Sequence, residues 1–366
     1  MNELKLPFYA KLALTLLSLV LIVMIVRTGS EVIIPLIFAF LISIMLLPLA
    51  SLLEKWRFPR GLAAITSLLV FIVLLLSVMM LLIKQMESFI TDLPQLQHKL
   101  IITLNSMQAW VNEKFHINSN MQMSYLEKLA MGTLGTATSF VSSTLLSVSS
   151  LLIFIVFILL YTFFILLYRK LLVKFLVSLF EAKHRETLMG VVDRTRSIIK
   201  SYVGGLMIEM VVVAILNCTI FSILGIKYAI LLGMMSAIFN LIPYIGIFVA
   251  LLLCTVVTLA TSVPVAGLQV AVSLFAVHLI DSNILFPSIV GSKVKINALA
   301  TIVGVILGNM LWGIPGMFLA IPIIAIVKIL CESVDSMHPW AILLGVEEKE
   351  KKEKIPPPAP QPEGEA

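Results

Sequence analysis

Long apolar runs separated by short charged links dominate the chain. They cover approximately residues 9–26, 32–53, 61–83, 146–168, 202–224 and 264–281. Each comes near the roughly 20 residues an α-helix needs to cross a bilayer, so each predicts a membrane-spanning helix. Two longer apolar regions, 228–260 and 297–330, are interrupted near their middles. The first interruption reads "NLIPYIG" (240–246) and the second "LWGIPG" (311–316), with a further proline at Pro322. In lipid a turn leaves backbone N–H and C=O groups that water cannot reach, each costing several kcal/mol if unpaired. Each region is therefore either one kinked span or a re-entrant hairpin that returns to the side it came from. The halves are too short to cross about 30 Å untilted. Proline and glycine are commoner in membrane helices than in soluble ones, so one kink alone would be structural. Two broken segments in comparable positions point instead to a transport site near the membrane midplane.

Residues 84–143 follow another pattern. Phe89, Leu93, Leu96, Leu100, Leu104, Met107 and Val111 recur at helical spacing among mixed charges. "TDLPQ" and "HINSN" predict breaks between short helices. The expectation is a non-spanning helical insert near the membrane surface. Residues 169–200 are basic, and their first part is amphipathic through Leu172, Phe175, Leu176 and Leu179. The tail from 347 is charged and then proline-rich, which predicts disorder. The resulting division is 1–83 (three N-terminal spans), 84–145 (an extracytoplasmic insert), 146–346 (a C-terminal transport core) and 347–366 (a cytoplasmic tail).

Composition agrees with the pattern. The chain has 366 residues, 60% hydrophobic and 13% charged, against about 25% charged in soluble domains. Its mean hydropathy is +1.08. The first apolar run, with Lys5 and Lys11 nearby, lacks a small-residue cleavage site and predicts a retained span rather than a signal peptide. Lysine and arginine at the N-terminus, in "EKWRFPR" and across 169–200 alternate onto one side, predicting that both termini are cytoplasmic. Two hairpins would also place Lys293 and Lys295 inside, whereas ordinary spans would put them outside. The fold class expected is all-α and polytopic, with about six full spans plus two re-entrant hairpins, or eight spans.

Candidate chemistry is sparse. Cys218, Cys254 and Cys331 lie in or at the ends of apolar runs without metal-ligand spacing, so they are expected to be packing residues. No Walker, GxSxG or HExxH pattern occurs, so neither an ATPase nor a hydrolase is indicated, and transport energy would come from a gradient. Glu209 is the sole carboxylate between residues 202 and 280. An ionisable group inside a span marks a functional site by default, although Glu209 could also reach water at an interface. Asn217 follows two turns later on roughly the same face. In "HLIDSN", His278 and Asp281 share a helix face and Asn283 follows. This cluster is either a proton or ion site or an ordinary helix end. Gly304 and Gly308 form a GxxxG that permits close helix packing.

The second half, "LLGMMSAIFNLIPYIGIFVALLL" followed by "DSNILFPSIVGSKVKINALATIVGVILGNMLWGIPGMFLAIPIIAIVKIL", resembles the autoinducer-2 exporter family of bacterial transporters. The matching positions are Asn240, Pro243, Tyr244 and Gly246; Asp281, Asn283, Pro287 and Gly291; and Gly313, Gly316, Ala320 and Pro322. The family more often has Glu-Gly-Asn where this chain has Asp281-Ser282-Asn283, and an amide where it has His278. The resemblance thus gives His278 no proton-linked role, and Glu209 rests on its position alone. The resemblance implies a multi-pass inner-membrane transporter that forms a homo-oligomer. Some relatives are associated with export of autoinducer-2, a small polar signalling molecule, and others with sodium- or lithium-for-proton exchange.

Together these readings predict a non-enzymatic exporter of a small polar solute, without cofactor, metal centre or nucleic-acid partner, and surrounded by membrane lipid. Asn240, Pro243, Tyr244, Gly246, Gly313, Pro315 and Gly316 are the expected substrate-binding residues. Glu209, Asn217, Asp281 and Asn283 are the expected sodium- or proton-coupling residues. The alternatives are a sodium (or lithium)/proton antiporter and a non-transporting scaffold.

Overall fold

The computed structural model describes residues 7–115, 128, 132, 148–181, 184–243, 245–291 and 296–346. The expectations for Tyr244, Lys293, Lys295, "HINSN", most of the insert beyond 115 and the tail lie outside the described residues. The helices are α1 (Phe8–Thr28), α2 (Ser30–Lys55), α3 (Arg60–Phe115), α4 (Val148–Ser178), α5 (Arg185–Ile223), α6 (Ala229–Asn240), α7 (Ile245–Thr261), α8 (Pro264–Ile280), α9 (Ala298–Glu332) and α10 (His338–Leu344). A helix satisfies its backbone groups internally, which lipid requires, and this is why apolar runs of this length become helices. Seven of the described helices are long and apolar enough to cross a membrane.

One of those seven, α9, is not straight. Gly313 has φ 63° and ψ −141°, a conformation that an L side chain would strain, and the helix folds back there. A Cβ on Gly308 would collide with the Gly316 carbonyl, and one on Gly316 with the Gly308 carbonyl. In a straight helix residues eight apart stand about 12 Å from each other, so the two arms lie antiparallel and in backbone contact. Gly304 meets Ile324 and Ala320 one turn further down. The GxxxG pattern is therefore the seam of this hairpin. Its start is tied to the end of α10: Asn297 caps α9 by accepting from Ala300 N at 2.7 Å and donates to the Leu343 and Gly345 carbonyls at 2.6 and 3.0 Å.

Helices α6 and α7 make the other hairpin. At about 18 and 26 Å, both are shorter than the hydrocarbon core. Within the turn, Leu241 N donates to Ile238 O at 3.2 Å, Ile242 N to Phe239 O at 2.9 Å and Gly246 N to Ile242 O at 3.0 Å, while Pro243 has no N–H to satisfy. A Cβ on Gly246 would overlap the Phe239 carbonyl, so the arms touch directly beside the turn. Further along, Cys254 Sγ lies 3.7 Å from Leu232 O.

The hairpins enter from opposite ends of α5. The α6–α7 hairpin follows the C-terminal end of α5, where Lys227 pairs with Asp92 at 2.5 Å. The base of the α9 hairpin lies near the other end, where Glu332 pairs with Lys328 at 3.2 Å and with Arg194 at 3.7 Å. Their tips meet: Ile242 packs on Val305, Met317 and Ala320, and Leu241 joins the cluster holding Trp312 and Leu319. Helix α2 flanks this centre through Ile34, Leu41 and Ile44, packed with Ile199, Tyr202 and Leu206 of α5.

Residues 84–115 depart from expectation. "TDLPQ" does not break the helix; α3 continues from the third span through Pro94 to Phe115. Phe89, Leu96 and Leu100 are buried against Tyr228, Leu231, Cys254 and Val257, so this face covers the α6–α7 hairpin. Burial against the hairpin offsets the helix-breaking tendency of the proline. Helix α1, by contrast, has no buried residue. Near its C-terminal end, the Val26 carbonyl accepts a 3.0 Å hydrogen bond from Trp312 Nε1, at the turn of the α9 hairpin.

Candidate functional site

Three helices bring polar side chains into the apolar centre. Glu209 and Asn217 are two turns apart on α5, Ser236 and Asn240 one turn apart on α6, and His278 and Asp281 three residues apart at the end of α8. The periodicity of each helix aligns its pair on one face. Two rungs result. In one, Asn240 Nδ2 donates to Asp281 Oδ2 at 2.9 Å and reaches Glu209 Oε1 at 3.3 Å. In the other, Asn217 Nδ2 donates to Ser236 Oγ at 2.8 Å, and that hydroxyl donates to Gly233 O at 2.8 Å. Gly233 lies so close to the Cys218 backbone that α5 and α6 meet without an intervening side chain.

The site is buried and under-satisfied. Glu209 is 3% exposed, Asp281 5% and Asn217 2%. Glu209 Oε2, Asp281 Oδ1, Asn217 Oδ1 and His278 Nδ1 are buried without a hydrogen-bond partner among the described residues. Asn217, Ser236, Asn240, His278 and Asp281 line a cavity with room for about one water molecule. Leaving a buried acceptor unpaired costs about 1–3 kcal/mol, and more for a charged group. Neither carboxyl has a lysine or arginine partner among the described residues. Two adjacent carboxylates in such a place require a compensating proton or cation. From Asp281 the helix widens into π-type turns over Asp281–Leu285 and Pro287–Gly291, a distortion that recurs at functional sites.

The structure therefore unites Glu209, Asn217, Asn240 and Asp281. Asn283 stands apart: it is exposed and donates to Leu279 O at 2.8 Å. Pro243 lies in the turn after Asn240, and Gly313 and Pro315 form the opposing tip. Gly246 and Gly316 are buried contact points between hairpin arms. The sequence reading passed over Ser236, although its spacing of one turn from Asn240 was available. It also passed over Trp312, whose long-range partner on α1 no local pattern reveals.

The family model for "AI-2E family transporter" matches residues 14–335. Among curated proteins, the AI-2 transport protein TqsA of Escherichia coli (strain K12) is 24% identical over 354 residues, covering 93% of this chain and 97% of TqsA. YrrI of Bacillus subtilis (strain 168) is 26% identical over 313 residues, covering 82% of this chain and 86% of YrrI. YueF of the same strain is 32% identical over a shorter stretch of 108 residues. The architecture of apolar helices and the match along nearly the whole chain agree: this is a multi-pass bacterial inner-membrane protein with a transport role, and it belongs to the AI-2E transporter family.

Proposed function

We propose that the chain is a secondary transporter that exports a small polar solute of the autoinducer-2 kind. The observation that carries this reading is the meeting of two opposed hairpin tips beside a buried polar centre, with Asn240 held between Glu209 and Asp281. Non-helical backbone at membrane depth occurs where it is covered by protein or lines a wet cavity. Solute would engage Asn240 and Tyr244, with Pro243, Gly313 and Pro315 shaping the two tips. Glu209, Asn217 and Asp281 would couple its movement to an ion gradient. The name of TqsA supports the substrate class. A second reading, exchange of sodium or lithium for protons, is favoured by the unpartnered oxygens of Glu209 and Asp281. A flux assay in vesicles, with autoinducer-2, sodium and protons tested side by side, separates the two. Solute movement indifferent to sodium supports export, whereas sodium-driven change of internal pH without solute supports exchange. Absence of both fluxes refutes a transport role at this site.

A further inference from the structure

We propose that Glu209 and Asp281 hold one proton between them, and that His278 exchanges it through a water in the adjoining cavity. The inference rests on reading this site as the coupling centre, and adds the identity of the coupling ion and a residue that carries it. The two carboxyl groups are held side by side by one amide: Asn240 Nδ2 lies 2.9 Å from Asp281 Oδ2 and 3.3 Å from Glu209 Oε1. Asn240 supplies a donor to one oxygen of each acid and leaves Glu209 Oε2 and Asp281 Oδ1 without one among the described residues. One proton on the pair supplies the missing donor and reduces the buried charge from two units to one.

The route follows from two other orphans. Asn217 Oδ1 and His278 Nδ1 are buried and have no partner among the described residues, and both residues line the cavity with Asp281. A water there would find an imidazole nitrogen, an amide oxygen and a carboxylate oxygen, enough partners to hold it. Transfer moves the proton from the acid pair to water as that water protonates Nδ1. The products are two carboxylates and an imidazolium, so the total charge is unchanged until the imidazolium releases its proton. Of the ionisable side chains on the surrounding helices, Tyr202 on α5 lies two turns before Glu209, His278 is on α8, and Cys218 and Cys254 are on α5 and α7. No lysine or arginine among the described residues pairs with either acid.

The test uses the full chain in lipid vesicles, pH-difference infrared spectroscopy and sodium-free buffer. The expected result is a protonated-carboxyl band equivalent to one group per chain, altered in Glu209→Gln and in Asp281→Asn and absent from the double variant. Hydrogen–deuterium exchange of that band should slow about a hundredfold in His278→Gln, the scale of a lost proton acceptor. Both amide variants keep shape, and the wild-type band alone tests the pair should a variant fail to fold. Absence of the band at every pH, its survival in the double variant, or its loss on adding sodium at constant pH overturns the shared proton. An unchanged exchange rate in His278→Gln overturns the relay. A missing band with intact solute flux removes the proton pair and leaves transport standing. A normal band with no flux of any kind does the reverse.

Discussion

The two hairpins solve one geometric problem with different chemistry. Both let backbone approach backbone at a glycine beside the turn, Gly246 in one and Gly308 with Gly316 in the other. The α6–α7 hairpin ends on Asn240 and is surrounded by polar groups lent by α5 and α8. The α9 hairpin has no ionisable residue before Lys328, and its turn depends on the conformation of Gly313. One tip gathers polar side chains and the other presents an apolar counter-surface. Similarity of shape therefore does not imply similarity of chemical surroundings.

The largest effect should fall on the shared element. Gly316→Leu and Gly246→Leu each place a side chain where a backbone carbonyl stands, and should cost more than about 4 kcal/mol. Thermal unfolding in detergent, or loss of monodisperse protein, reads this out. Survival of either variant would show that the arms can separate. Next, Asn240→Leu leaves two buried acids without their bridge. It should cost about 3–5 kcal/mol and abolish flux in vesicles. Gly313→Ala should cost about 1–3 kcal/mol from backbone strain, with flux per folded protein falling less than in Asn240→Leu. Complete loss of flux in a stable Gly313→Ala protein would dissolve the contrast between the tips.

Smaller effects sharpen it. Ser236→Ala removes the acceptor for the Asn217 amide and should cost about 1–3 kcal/mol, measurable by unfolding. Lys227→Met, at the base of the polar hairpin, should cost at most about 1 kcal/mol, because the Lys227 side chain is 55% exposed and salt screens the pair. The hydrogen bond to Asp92 holds Lys227 above the usual lysine range. A raised value means that this contribution is complete below the free-lysine range and fades as pH rises through the raised value. The difference between wild type and Lys227→Met should thus be constant near neutrality, shrink in strong alkali, and shrink in high salt at any pH.

Much of the architecture was legible because lipid imposes helices of a required length on apolar runs. The breaks at "NLIPYIG" and "LWGIPG" were visible as proline and glycine where a span should be uninterrupted. Their opposed entry was not, since it depends on which end of α5 each base adjoins. Glu209 and Asp281 could be singled out as costly groups. Their union through Asn240 could not, because 31 and 41 residues separate the amide from its two partners. Pro94 misled for a related reason: a local rule about proline gave way to burial of Phe89, Leu96 and Leu100 against a hairpin more than a hundred residues on. The GxxxG at Gly304 and Gly308 suggested helix contact without saying that the contacted helix is the second half of the same segment.

The bond from Trp312 to Val26 makes the first helix a passenger of the second tip. A shift of that tip must either carry the end of α1 with it or break the bond. The chain thereby carries its own gauge. Trp312 is an intrinsic fluorophore placed where such movement would begin, and its emission would register the release of a carbonyl 286 residues earlier in the chain.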